Sequence, residues 1–128
     1  MNIGDSASFT HTITESDVEK FAELSGDRNP LHMDDAYASR TPFKKRIVHG
    51  MFLGALASRL LGMHLPGERC LYIRQELSFH KPVFIGTEVT VTGVVKSVSS
   101  STGIYEIMIE ISGGGTKFAS GPAYVKLL

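Results

Sequence analysis

A chain of 128 residues with 42% hydrophobic content suits a single globular domain, residues 1–128, built on one core. Thirteen basic residues balance thirteen acidic ones, so no whole-molecule field argues for nucleic acid or an anionic membrane as partner, and any anionic ligand must be held locally. The lone Cys70 excludes an internal disulfide, and the opening Met1-Asn2-Ile3-Gly4-Asp5 lacks the basic start and apolar stretch of a secretory signal, so the cytoplasm is the expected compartment.

A short strand is expected over Ser8 to Ile13. Thr14-Glu15-Ser16-Asp17 then reads as a capping box, in which the Thr14 hydroxyl and the Asp17 carboxylate satisfy orphan amides, and Val18, Phe21, Ala22 and Leu24 follow at helical spacing. Gly26 is placed to end that helix. Pro30 disfavours helical geometry at Asn29, so Asp27 to Pro30 is expected as an irregular turn with His32 emerging just beyond it. Asp34 is a candidate cap for a short helix through Tyr37 and Ala38 that stops at Thr41-Pro42, and Lys44-Lys45-Arg46 makes a small basic cluster.

Ile47 to Leu65 is apolar enough to suggest a membrane span, but it contains His49, Arg59 and His64, and charge near a bilayer centre is costly. A buried helix beginning near Gly50 is the better reading. Met51, Phe52, Leu53, Ala55, Leu56, Ala57, Leu60, Leu61 and Met63 make it apolar nearly all round, which predicts enclosure by other structure, and Leu65-Pro66-Gly67 closes it.

From Cys70 the period changes to two, and Leu71 to His80, Glu88 to Val98, Ile104 to Ile111 and Phe118 to Leu127 read as strands. Ser97 to Gly103 and Ser112 to Gly115 are short enough for hairpin loops. Tyr105, Ile107, Ile109 and Ile111 share one face while Glu106 and Glu110 lie on the other, so one sheet face is buried, with the apolar helix as the obvious thing beneath it. The pattern supports an α+β domain, an antiparallel sheet of about five strands packed on one central helix. Val89, Val91, Val94, Val95 and Val98 suggest a strand with two apolar faces, more than one small domain can cover, so a homodimer is expected.

Two fragments carry the chemistry. Gly26-Asp27-Arg28-Asn29-Pro30-Leu31-His32 sets an acid, an amide and an imidazole within six residues on a chain that must bend, and Ile47-Val48-His49-Gly50-Met51 precedes the apolar helix. With Phe21 and Ser25 at the flanking positions, they resemble the signature of the R-specific enoyl-CoA hydratases, also called hydratase 2 or MaoC-like hydratases: an aromatic residue, then small-Gly-Asp-x-Asn-Pro-apolar-His. Phe79-His80-Lys81-Pro82-Val83-Phe84-Ile85-Gly86 is similar to a strand-to-turn segment of the same family, more a fold marker than a reactive one, and extends the match from Phe21 to Gly86. The resemblance implies a hot dog fold, with the sheet wrapped around the long central helix. It also implies a homodimer with sheets joined edge to edge and coenzyme A bound near the subunit boundary.

Hydrating an α,β-unsaturated thioester requires water deprotonated toward C3, a proton delivered at C2, and stabilisation of the charge that builds on the thioester oxygen. Asp27 and His32, five positions apart across a turn, can converge on one water, and imidazole titrates near working pH. Spacing does not decide which of them takes the proton from water; our reading favours His32 as base and Asp27 as acid. A carboxyl acting as donor needs its pKa raised from about 3.9, and a pocket lined by the helix could do so by desolvation. Asn29 can bind water or orient a partner, and the matching family position belongs to the active site. Gly50 is expected at the start of the helix, where free amides and the helix dipole favour a developing oxyanion, although a packing role for this glycine is also open. Ser58 matches a family position linked to the hydrogen-bond network, but eight residues beyond Gly50 it stands roughly 12 Å away along a helix. His49 is expected in a structural, helix-start role.

The resemblance thus implies reversible R-specific hydration of trans-2-enoyl-CoA to (R)-3-hydroxyacyl-CoA, with coenzyme A thioester as substrate and no redox cofactor. Dehydration of 3-hydroxyacyl thioesters of an acyl carrier protein is the alternative, since the chemistry is the same and only the carrier differs. A hot dog thioesterase, which directs water to the carbonyl carbon, has no use for Asn29 and His32 in this spacing. Asp27, His32, Asp34, Asp35 and His49 are metal-compatible types, but no His-x-x-x-His or cysteine pairing is present, so no metal is expected. Arg40, Lys44, Lys45, Arg46, Arg74 and Lys81 are candidates for the phosphates, although isolated basic residues are commonly solvated surface.

Overall fold

The computed structural model describes all 128 residues. Strand β1 (Ser6–Thr12) leads into helix α1 (Glu15–Ser25), two short helices α2 (Pro30–Met33) and α3 (Asp35–Ser39), and the central helix α4 (Gly50–Met63). Strands β2 (Cys70–Gln75), β3 (Ser78–Phe79), β4 (Glu88–Val98), β5 (Ile104–Gly113) and β6 (Thr116–Leu127) follow. They form one antiparallel sheet in the order β1-β4-β5-β6-β2, with β3 also paired to β6. This sheet curved around α4 is the hot dog arrangement.

The capping box is present at α1: the Asp17 amide donates to Thr14 Oγ1 at 3.1 Å and the Thr14 amide to Asp17 Oδ2 at 3.0 Å. Gly26 closes that helix with φ 80°, a left-handed geometry that costs glycine least. Leu53, Leu56, Ala57, Leu60 and Leu61 of α4 are buried together with Val89, Val91, Val95, Ile107, Ile109, Ile111, Ala119, Ala123 and Val125 of the sheet, in one contiguous core. Glu106 and Glu110 alternate out of it, as the period of two requires.

Four expectations change. Helix α4 is enclosed on one side only: Met51 is 64% and Met63 73% exposed, because a single sheet can cover a single face of the rod. The run Leu71 to His80 is two strands. Its break faces Gly121, where an added Cβ would lie 1.9 Å from the Glu76 carbonyl oxygen, so the backbones cross too closely for a side chain. Beside it Pro122 accepts from the Glu76 amide at 3.0 Å but has no N–H to return, so the ladder cannot run straight through. In β4 the register shifts between Val95 and Ser97, and Val98 pairs with Tyr105, on the same face as Val95 opposite Ile107. That bulge leaves Val94 alone on the outer face, so the valines of β4 do not make two apolar faces. Last, Pro30 is the first residue of α2 rather than the end of an irregular turn, a position where its fixed φ and missing N–H are harmless.

No helix is long and apolar enough to cross a membrane.

Candidate active site

Polar bonds, rather than a buried core, organise the chain after α1. The Asp27 amide donates to Ser25 Oγ at 3.1 Å, the Asn29 amide to Asp27 Oδ1 at 3.2 Å, and the Leu31 amide to Asn29 Oδ1 at 3.0 Å. Each short side chain thus folds the backbone two residues ahead of it, and the last bond caps α2. Asn29 therefore has a local task that spacing alone did not reveal: its carbonyl oxygen starts the helix that carries His32, and its NH2 group remains as a donor.

His32 is half-buried on α2, with Nδ1 2.7 Å from the Ile47 carbonyl oxygen. A carbonyl only accepts, so Nδ1 carries the proton and, in the neutral ring, Nε2 holds the free lone pair. A carboxylate oxygen of Asp27, a ring nitrogen of His32 and a ring nitrogen of His49 all lie within 4.8 Å of one another. The expected convergence of Asp27 and His32 is thus a feature of the folded chain. Asp27 itself is exposed, so a single chain does not supply the desolvation expected around it.

Gly50 opens α4. Its amide has no backbone partner, whereas the Phe52 amide turns back to the His49 carbonyl at 3.0 Å. A Cβ at position 50 would stand 3.2–3.4 Å from three carbons of the Phe79 ring, so the glycine both frees an amide and lets the aromatic ring lie close to the backbone. His32 and Gly50 line one open cavity of about 340 Å³, together with Phe43, Val48, Leu53, Phe79 and Val83 among others. The Phe-x-x-Pro-Val segment, expected as a fold marker, is thus a wall of this cavity. Ser58 is exposed on α4 and is not among the residues lining it.

Two residues have roles that the spacing did not show. His49 is 2% exposed; it occupies the N-cap position of α4 without capping it, and instead its Nε2–H donates to the Asp27 carbonyl at 2.9 Å. Its ring stacks on that of His32, with centroids 4.0 Å apart and planes at 28°. Arg46, grouped in the sequence with two surface lysines, is 8% exposed and clamps the neighbouring helices. Its guanidinium reaches Glu15 at 2.6 Å and Asp35 at 2.9 Å, and the His32 and Met33 carbonyls at 3.5 and 3.4 Å. It is a structural anchor, not a free phosphate ligand.

Asp27, His32 and His49 are also the one cluster of metal-ligand types. The geometry is poor for that purpose. Each ring already spends one nitrogen on a carbonyl, and rings stacked with centroids 4.0 Å apart and planes at 28° do not aim their remaining lone pairs at a common ion about 2 Å from both.

Residues 2–110 match the family described as MaoC like domain. The chain belongs to that family. It is 41% identical over 128 residues to an (R)-specific enoyl-CoA hydratase of Aeromonas caviae, covering 99% of this chain and 96% of the relative. It is also 41% identical over 115 residues to a 3-hydroxybutyryl-CoA dehydratase of Methylorubrum extorquens, covering 90% and 73% of the two chains. Among solved structures, the (R)-hydratase from A. caviae involved in PHA biosynthesis superposes with a TM-score of 0.96 over 100% of this chain and 98% of that one. This MaoC-like chain therefore shares the full architecture of that hydratase.

Proposed function

We propose that this MaoC-like protein is a hydro-lyase that adds water to trans-2-enoyl-CoA to give (R)-3-hydroxyacyl-CoA, and runs the same step in reverse. The observation that carries the reading is the approach of the Asp27 carboxylate to the His32 ring within 4.8 Å, where His32 and Gly50 line one cavity that Asp27 itself does not line. His32 Nε2 accepts a proton from water as its oxygen attacks C3. Asp27, in its acid form, delivers a proton to C2 on the same face of the double bond. The Gly50 amide, at the positive end of α4, donates to the thioester oxygen while negative charge gathers there; removing a donor of this kind typically lowers rate by about 10²- to 10³-fold. Asn29 holds α2 in place and Ser58 stands outside the reacting group. No metal or redox cofactor enters the step, and prolonged chelation is expected to leave the rate unchanged.

A second copy of the chain completes this reading. The edge strand β2 leaves Leu71 46% and Ile73 47% exposed, next to the uncovered face of α4 that carries Met51. An apolar sheet edge is a surface that invites pairing, and a homodimer joined there would cover it. Light scattering at micromolar concentration should return twice the chain mass; a monomer would reject the dimer.

Crotonyl-CoA mixed with the protein, followed both by loss of enoyl absorbance and by release of free thiol, tests the reaction. Enoyl loss without thiol and an (R) product on chiral analysis are expected. Thiol release without enoyl loss would instead indicate a thioesterase. Repeating the assay with crotonyl-acyl carrier protein ranks the two carriers.

A further inference from the structure

His49 touches every segment that carries a group of the proposed reaction, yet it does not line the cavity. Its own backbone leads directly into Gly50. Its Nε2–H bonds the Asp27 carbonyl at 2.9 Å, its face covers the His32 ring at 4.0 Å, and its edge region meets Phe21 of α1 with centroids 4.9 Å apart. The aromatic residue at position 21 of the motif thus closes the side of the His49 ring environment contributed by α1. One ring nitrogen is committed to a carbonyl, and the other, Nδ1, is buried without a hydrogen-bond partner.

We infer that His49 is a positioning residue: it sets the distance between the Asp27 turn and the His32 ring, and thereby the geometry of the acid–base pair, without taking or giving a proton itself. The inference rests on the hydratase reading above. Two separable contacts do the positioning. The hydrogen bond draws the Asp27 backbone toward α4, and the stack prevents the His32 ring from tilting away from its bond to Ile47. A displacement of about 1 Å between reacting groups can cost on the order of 10²-fold in rate, so loss of either contact should be visible in turnover.

His49→Phe keeps a ring over His32 and removes the donor, whereas His49→Gln keeps a donor of similar reach and removes the stack. Both variants are to be purified as full chains, melted, and assayed with crotonyl-CoA for kcat and KM separately. For His49→Phe the expected result is a kcat lower by about 10- to 100-fold with KM within about twofold, at a melting temperature close to the parent's. For His49→Gln, partial recovery of kcat relative to His49→Phe is expected. The ring nitrogens of His32, followed by ¹⁵N NMR in the same variants, supply a readout independent of turnover: the signal of the Nδ1–H form should broaden or mix in His49→Gln. If His49→Phe retains the parent kcat, or if both variants lose activity only in proportion to the folded fraction, the positioning role is rejected. If the parent itself fails to hydrate crotonyl-CoA while the His32 signals still respond to His49→Gln, the hydratase reading fails and the positioning contact survives.

Discussion

The stretch from Gly26 to Gly50 and the β4–β5–β6 part of the sheet are held together by opposite means. In the sheet, Val89, Val91, Val95, Ile107, Ile109 and Ile111 are 0–1% exposed, and non-directional burial against α4 does the work. In the connecting stretch, Gly26 to Pro30 are all exposed and the shape comes from single hydrogen bonds, each with one donor and one acceptor. The sheet can therefore exchange one apolar residue for another of similar volume, while the connecting stretch depends on particular atoms. Stability resides mostly in the first region and the proposed chemistry in the second.

Substitution should separate them. Asp27→Asn and His32→Gln are expected to lower kcat on crotonyl-CoA by about 10²- to 10⁴-fold, the usual range for a general acid or base, with little change in the melting curve. Near-parent turnover in either variant would remove that residue from the mechanism. In the sheet, Ile109→Ala should cost about 2–5 kcal/mol in denaturant unfolding, while turnover per folded molecule stays near the parent value; a large fall in kcat at full folding would show that the two regions are coupled. Arg46 sharpens the contrast because it is a buried charge that braces the polar region. Arg46→Leu should cost about 1–3 kcal/mol, from the lost charge-assisted bonds, and should lower kcat as α2 loses its anchor. Stability loss with unchanged kcat would confine Arg46 to the scaffold.

The smallest effect belongs to the cap of α1. Thr14→Ala should cost about 1 kcal/mol. Burial pushes the Asp17 carboxyl up, but the Thr14 amide and the His11 ring, 2.8 Å away, together outweigh it, so its pKa lies below the ordinary value. A carboxyl with a lower pKa folded than unfolded adds stability that is present above the unfolded value, about 3.9, and fades as pH falls through the folded one. The stability gap between parent and Asp17→Asn should thus be full near neutrality and shrink below about pH 4. A gap that widens in acid would reverse the sign of this argument.

Much of the fold was legible because its signals are local and repeated. Thr14 and Asp17 announce α1, Gly26 its end, and the period of two along Tyr105 to Ile111 announces β5 and its buried face. The Asp27–His32 approach was legible too, since five residues across a turn leave few alternatives. Where the reading failed, the reason lay in the neighbour. The break between β2 and β3 depends on Gly121 and Pro122, more than forty residues away in the chain, and the bulge at Lys96 shows itself only against the register of β5.

From its residues alone, the chain specified a single α+β core, the caps and turns that bound its helices, and an acid, an amide and an imidazole set close together across a turn. Tertiary structure decided what surrounds them: that His49 leaves its own helix uncapped to grip the Asp27 carbonyl and cover His32, that Arg46 is a buried clamp, and that Phe79 presses on Gly50. Hydrophobic period and capping are written within one turn or one strand. A hydrogen bond or a ring stack between segments depends on where distant backbones come to rest, and no local pattern encodes that.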